Sequence, residues 1–343
     1  MTTIDYTSYK AWMTCPWLWY ERYTNCIRKR QQGQQDNAMA LGSLLHAGIE
    51  VYRRQHKVEI PAPTVIDLDP TPECFSNSMY LLNSYIQAHP MEQWPIELME
   101  EPLRFPLTND IEGLAKVDHL FYVDAPTTIQ NGSMGTLCLE EGWWLRDYKT
   151  RDAGGKRDLY MKGWNVNMQA NFQILAANAF IAKNSTIHQE CRGLLIDVIE
   201  KPRLYIPQRT CKSCKNKWEY GSWVPQQDGT FNCPWCNNNQ VLDAPKRTPG
   251  YCGEPTMYAI MVQRTPSQLV TAADEIIDVA SSMQALVAHG MGAVAPNREK
   301  CIDGIYGECE FYSPHTFNTP PLESGLFEMY EPRKYQQREV QAV

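Results

Sequence analysis

The sequence predicts an α/β protein, with a mixed sheet flanked by helices and a cysteine-bearing segment inserted late in the chain. Three observations predict it. Residues 38–55 carry an apolar stripe at helical spacing, through Leu41, Leu44, Leu45, Gly48, Ile49 and Tyr52. Between residues 97 and 149 the period changes to short apolar or alternating runs broken by turn residues. From residue 200 to 250 the aliphatic residues thin out and four cysteines appear.

Each element follows in order. Residues 5–24 are aromatic-rich and helically spaced on both sides of Pro16, and residues 28–36 are polar and basic, as in a loop. Helices are expected at 38–55 and 72–88, then strands at 97–106, 114–123, 136–140 and 142–149, with NGSMG at 131–135 as a turn. One helix is expected over 158–182 and a strand over 192–199. After the insertion come a strand at 256–263 and a helix at 266–289, with Thr265 as N-cap and Pro266 at its first position. The organisation expected is 1–199 as the first part of the core, 200–250 as the insertion, and 251–343 as core completion with an irregular, cysteine-containing tail.

Bulk properties exclude some classes. No apolar run approaches the length of a membrane span, and the N-terminus lacks a basic region followed by an apolar one, so a cytoplasmic location without membrane contact is expected. The net charge of -7 gives no general support for nucleic-acid binding, which would need a local basic patch. Twelve cysteines in a reducing compartment point to metal rather than disulfides.

The insertion carries CKSC (Cys211, Cys214) and CPWC (Cys233, Cys236), a C-x2-C-x18-C-x2-C pattern. Two such turns present four thiolates, which predicts a closed, structural zinc ribbon rather than a catalytic metal. Residues 200–247 hold eight Lys/Arg against four Asp/Glu, with Trp218, Tyr220, Trp223 and Trp235 interleaved. That composition suits contact with nucleic acid, and equally a purely structural insert or a protein contact.

A second constellation lies in the core. WWLRDYKT (143–150) ends an apolar run with Asp147 and Lys149, two residues apart and therefore on one strand face. Alone, this is a local ion pair. Asp118 interrupts the strand-like LAKVDHLFYV, where a carboxylate needs a reason. His46 and Glu50 share one face of the 38–55 helix, and Gln169 and Gln173 share one face of the later helix. Two acids, a His and a Glu could hold one or two hard divalent cations, with Lys149 beside them as a cation or a tuned acid/base. That set suits phosphodiester hydrolysis.

GSLLHAGIE, AKVDHL, RDYKT and MQANFQILAANAF, in this order, resemble the RecB-type branch of the PD-(D/E)XK nuclease superfamily over residues 5–200. The resemblance implies a restriction-endonuclease-like core and a magnesium- or manganese-dependent deoxyribonuclease, with exonuclease action in recombination, repair or phage DNA processing. It implies His46, Asp118 and Asp147 as metal ligands with the Tyr148 carbonyl, Lys149 as the group assisting the attacking water, and Glu50 behind the ligands. Gln169 or Gln173 would contact DNA or position Lys149. The family's usual Tyr four residues after this Gln is not matched, since Gln173 or Ala177 stands there. DNA is the implied partner, with a separate helicase or single-strand annealing protein beside it.

The N-terminal SYKAWMTCPWLWYERY resembles the opening of the iron–sulfur members of that family. The resemblance implies a cluster held by Cys15, Cys301 and Cys309, with His315 standing where a further Cys is expected. The alternatives are a zinc ion there, or Cys15 packing as a small apolar residue. Two rival functions accompany the main one: a CRISPR-adaptation nuclease, and a DNA-binding or recombination-mediator protein with a retired active site.

Overall fold

The structure, a computed structural model, describes residues 1–29, 37–89, 94, 96–153, 156–187, 189–205, 208–211, 213–215, 217–219, 231–233, 236, 239–240, 250–290, 297, 309, 311, 321–324 and 327–329. In chain order the elements are β1 (Thr2–Asp5), α1 (Tyr6–Thr14), α2 (Pro16–Trp19), β2 (Ile27–Lys29), α3 (Asn37–Gln55), α4 (Ala62–Leu68) and α5 (Pro72–Ala88). Next come β3 (Ile96–Pro106), β4 (Ile111–Val123), β5 (Thr127–Gln130), β6 (Thr136–Leu139), β7 (Gly142–Asp152), α6 (Arg157–Trp164), α7 (Met168–Asn184) and β8 (Gly193–Lys201). The insertion contributes β9 (Arg203–Tyr205), β10 (Gln208–Thr210), β11 (Lys217–Glu219), β12 (Phe231–Asn232), β13 (Asn239–Gln240) and β14 (Gly250–Cys252). β15 (Thr256–Val262), α8 (Pro266–His289) and β16 (Phe327–Met329) complete the chain.

A mixed six-stranded sheet forms the centre, in the order β1-β4-β7-β8-β15 with β3 on the other edge of β4. β3, β4 and β7 are antiparallel neighbours, β8 runs parallel to β7, and β15 returns antiparallel to β8. Parallel neighbours require a crossover, and α6 and α7 supply it between β7 and β8. One sheet face packs Val117, Leu145, Ile196 and Val198 against α7 residues Ala170, Ile174 and Ala177. The opposite face packs Tyr148, Met99 and Ile199 against Leu44, Leu45 and Ile49 of α3 and Leu81, Leu82 and Tyr85 of α5. α1 and α8 close a further cluster through Tyr9, Trp12, Ile276 and Met283.

β4 has a feature that positions the site. Its first residues pair with β1, at Ile4↔Gly113 and Asp5↔Leu114. Its last residues pair with β7, from His119↔Arg146 to Val123↔Gly142. The two partners use the same edge, so β4 is uncovered by either between residues 115 and 118. At Gly193, where β8 begins, a Cβ would stand 2.6 Å from the Val262 carbonyl oxygen, so β15 can approach only a glycine there.

The expected helix over 158–182 is two helices. Asn167 breaks it by capping α7, its side chain accepting the Gln169 N–H at 2.8 Å. β1, α4 and β5 were not expected; each is four to seven residues long, too short for a periodic signal. The loop expected over 28–36 meets β2 at its start, and residues 30–36 lie outside the described residues, as does most of the tail. Among the described residues, no helix is long and apolar enough to cross a membrane.

Candidate metal and catalytic centre

β7 carries the WWLRDYKT segment, and its alternation divides the work. Asp147 and Lys149 share the α7 side with Leu145, while Arg146 and Tyr148 face the α3 and α5 side. Asp147 is 1% exposed, and its carboxylate is engaged on both oxygens. Oδ2 pairs with the Lys149 ammonium. Oδ1 accepts from Gln173 Nε2 at 3.0 Å and from Gln169 Nε2 at 3.4 Å. The two glutamines sit one helical turn apart on α7, and the Asn167 cap fixes where that turn starts.

His46, on α3, reaches the same end of the sheet. Its Nε2 donates to the Tyr148 carbonyl at 2.8 Å, and its Nδ1 lies 3.2 Å from Glu100 and 3.4 Å from Asp118. Asp118 Oδ2 also accepts the Tyr148 main-chain N–H at 3.0 Å. That N–H belongs to the stretch of β7 just past its last pair with β4, so the carboxylate replaces the missing ladder partner. Gln173 Nε2 does the same for the Lys116 carbonyl, at 3.4 Å.

Glu100 was not foreseen from the sequence. It falls between Met99↔His119 and Glu101↔Val117, and so stands across from Asp118 on β3. Its φ is +57°, in the left-handed region that a non-glycine residue rarely enters within a strand. Such backbone strain costs roughly 1–3 kcal/mol and persists where surrounding contacts enforce it. Here those contacts are Lys116 and His46. The signal in the sequence was the Glu100–Glu101 pair in a strand-like run, but alternation alone does not say which of the two turns inward.

His46, Glu100 and Asp118 together place three ligand atoms within 4.8 Å of one another. Asp147 adjoins this group through Lys149 and through the Tyr148 peptide, but is not part of it. Glu50 stays outside: it pairs with Arg54 at 3.0 Å along α3, so the place expected for it behind the ligands is not taken.

The electrostatics follow from this crowding. Burial opposes a charge on His46, yet Asp118 and Glu100 outweigh it and push its pKa up to about 9. Burial likewise opposes the Lys149 ammonium, and Asp147 and Asp118 outweigh that too, so its pKa is raised. Burial raises the Asp147 carboxyl, with Lys149 pulling against it. Glu100 is lowered, because His46 and Lys116 overcome the cost of its burial.

Behind β7 lies a buried polar network. Arg146 Nε approaches Asp197 of β8 at 3.3 Å, Tyr85 Oη donates to Asp197 at 2.9 Å, and Arg53 donates to Tyr85 at 3.1 Å. The Arg146 guanidinium also lies 5.2 Å from the Phe121 ring centre. Asp197 is held below the usual carboxylate range: burial would raise it, and Arg146 foremost among its neighbours lowers it.

The four insertion cysteines converge as expected and could hold a metal ion such as zinc. Cys211 and Cys236 sulfurs are 3.6 Å apart, and those of Cys214 and Cys233 are 3.7 Å apart. These are too long for disulfides. They match the roughly 3.8 Å between sulfurs of a tetrahedron with about 2.3 Å metal–sulfur bonds. Lys215, at φ +61°, closes the first turn and donates its N–H to the Cys211 carbonyl at 3.0 Å. Tyr220, Trp223 and Trp235 lie outside the described residues.

Cys15 is buried in a small cluster with Leu18, Ile27, Phe311 and Phe327, against which Cys309 packs. The N-terminal segment and the described tail residues therefore meet there. Cys301 and His315 lie outside the described residues.

Compared with known proteins, the chain matches no family model, and no curated protein is similar to it.

Proposed function

We infer that the protein is a metal-dependent deoxyribonuclease with a RecB-like PD-(D/E)XK core. The observation that carries this reading is the juxtaposition of Asp147 and Lys149 on one strand with the His46, Glu100 and Asp118 group. A mixed nitrogen and oxygen donor set fits a hard divalent cation such as magnesium or manganese. His46, Glu100 and Asp118 would hold it, with Asp147 and the Tyr148 carbonyl beside them. Once bound, such an ion polarises a phosphoryl oxygen and makes water nucleophilic near neutral pH.

The chain's own groups supply the rest. Lys149 enters as an ammonium, since its acidic neighbours hold its proton. It therefore acts by neutralising charge that develops on the phosphate rather than as a base. Asp147 orients Lys149, and Gln169 and Gln173 fix the Asp147 carboxylate from the helix side. The buried Arg146–Asp197 network holds the opposite side of the strand, so the Tyr148 carbonyl stays aimed at His46.

Two accessory features complete the proposal. The four cysteines hold a structural zinc, and the basic, aromatic insertion around them contacts the nucleic acid. A helicase or single-strand annealing protein would act beside it on the same DNA.

The test is cleavage of end-labelled linear DNA beside a covalently closed circle, in single- and double-stranded forms, with magnesium, manganese or EDTA. Loss of linear DNA alone, abolished by EDTA and by Lys149→Ala, is the expected result and denotes exonuclease action. Cutting of circles would keep the site and remove the exonuclease assignment. Binding without turnover under every metal would mean a retired active site.

A further inference from the structure

A cleft of about 110 Å³ opens directly beside the carboxylates, between the first turns of α1 and α7 and over the uncovered stretch of β4. Its walls are Tyr6, Phe172 and Leu114, with Thr7 at the rim and Gln173 and Lys116 on the side facing the site. The last two also touch the proposed catalytic groups: Gln173 holds Asp147, and Lys116 pairs with Glu100. Whatever fills the cleft is therefore adjacent to the bond being cut.

The walls select a flat, partly polar ligand. Tyr6 meets Phe172 edge-on at 6.4 Å; Phe172 is fully buried, so the half-buried Tyr6 supplies the aromatic surface of the cleft. Gln173 is 3% exposed, and both partners of its Nε2 are oxygens, which fixes the orientation of the amide. Among the described residues its Oε1 is then left buried with no hydrogen-bond partner, and it calls for an N–H donor. Asp5 also lines the cleft, and its carboxylate disfavours a phosphate there. An apolar cavity of about 150 Å³ holds a benzene ring. This cleft is smaller but open on one side, so a single six-membered ring can enter it in part, while the fused rings of a purine exceed it.

We propose that this cleft receives the pyrimidine base of a nucleotide adjoining the scissile phosphate, stacked on Tyr6 with its N–H edge on Gln173 Oε1. The proposal rests on the nuclease reading of the adjoining site. It makes the enzyme favour cuts next to thymine or cytosine, and it requires that base to be unpaired, because a base inside a duplex cannot turn into a side cleft. A purine shut out of the cleft forfeits the stacking that a pyrimidine gains, which predicts at least about a fivefold preference in cutting rate beside pyrimidine.

The test uses single-stranded oligonucleotides carrying 5-iododeoxyuridine at successive positions, irradiated with the full-length protein in calcium and mapped by mass spectrometry. Cleavage of matched pyrimidine and purine strands in magnesium runs in parallel. The expected result is a crosslink to Tyr6 from one register only, kept in Lys149→Ala and lost in Thr7→Trp, whose indole plugs the rim. Circular dichroism confirms that Thr7→Trp is folded, and Tyr6→Leu serves as the second variant, losing the pyrimidine preference. No crosslink to Tyr6 at any position, or equal cutting beside purine and pyrimidine, overturns the proposal and leaves the nuclease reading intact. Crosslinks to Tyr6 without cleavage in any metal would instead sink the nuclease reading and leave the cleft as a base-binding site.

Discussion

Asp118 and Tyr148 are joined through the backbone: the Asp118 carboxylate accepts the Tyr148 N–H at 3.0 Å, and the Tyr148 carbonyl takes the His46 Nε2–H at 2.8 Å. The two peptide units on either side of the Tyr148 Cα thus tie a strand carboxylate to a helix imidazole. They also join Asp147 to Lys149, so any shift at Tyr148 moves four candidate catalytic groups together.

Glu100 and Glu50 separate the geometric reading from the one based on motif. Glu100→Gln removes an oxygen from the three-ligand group and should weaken manganese binding tenfold or more, read by titration calorimetry. Glu50→Gln breaks only the pair with Arg54 and should leave manganese affinity within about twofold. Equal effects from the two substitutions would refute the placement.

His46 makes both stability and metal affinity pH-dependent. Its folded pKa, about 9, lies above its ordinary value of 6.5. The proton therefore stabilises the metal-depleted protein fully below about pH 6.5, and this contribution disappears as pH rises through about 9. A cation must displace that proton, so manganese affinity should climb over the same window. Urea unfolding in EDTA at pH 6 and 9.5 should show the fall in wild type, and a smaller one in His46→Gln.

The cysteine group should bind one zinc ion per chain, counted by mass spectrometry of the native protein. Cys211→Ser or Cys236→Ser should lose it, because each removes a thiolate from a closed four-sulfur site. Cutting at the core site should survive on short oligonucleotides and weaken on long ones, if the basic insertion contributes only binding.

Arg146 and Asp197 are each under 4% exposed, so neither tolerates losing the other. Arg146→Met or Asp197→Leu alone should destabilise by about 3–5 kcal/mol in chemical denaturation. The double substitution should cost less than the sum, since it leaves no uncompensated charge. Tyr85→Phe should cost about 1–2 kcal/mol through its bond to Asp197.

The sequence exposed most of the scaffold because the long elements carry strong periodicity. The α5 and α8 bounds coincide with expectation, at 72–88 and 266–289. Asp118, Asp147, Lys149 and His46 were legible because polar residues interrupt apolar patterns there. Glu100 was not, because its inward turn comes from a φ of +57° that no pattern of residue types announces. The split of the 158–182 helix was hidden for a different reason: Asn167 reads as an ordinary helix residue until its side chain is seen capping α7. The buried Arg146–Asp197 pair was missed because the two residues meet only through β7–β8 pairing, 51 positions apart along the chain.

The insertion leaves and re-enters the sheet at one point. Glu200 and Thr256 are direct cross-strand partners, and the short β9–β14 ladder, Arg203↔Cys252 to Tyr205↔Gly250, prolongs that stem. Topologically the cysteine segment is the tip of a single long hairpin. A hairpin tip can be lengthened, shortened or exchanged at a cost that grows only with the logarithm of its length. The cysteine segment can thus change in length or content while the strands beneath it stay in register.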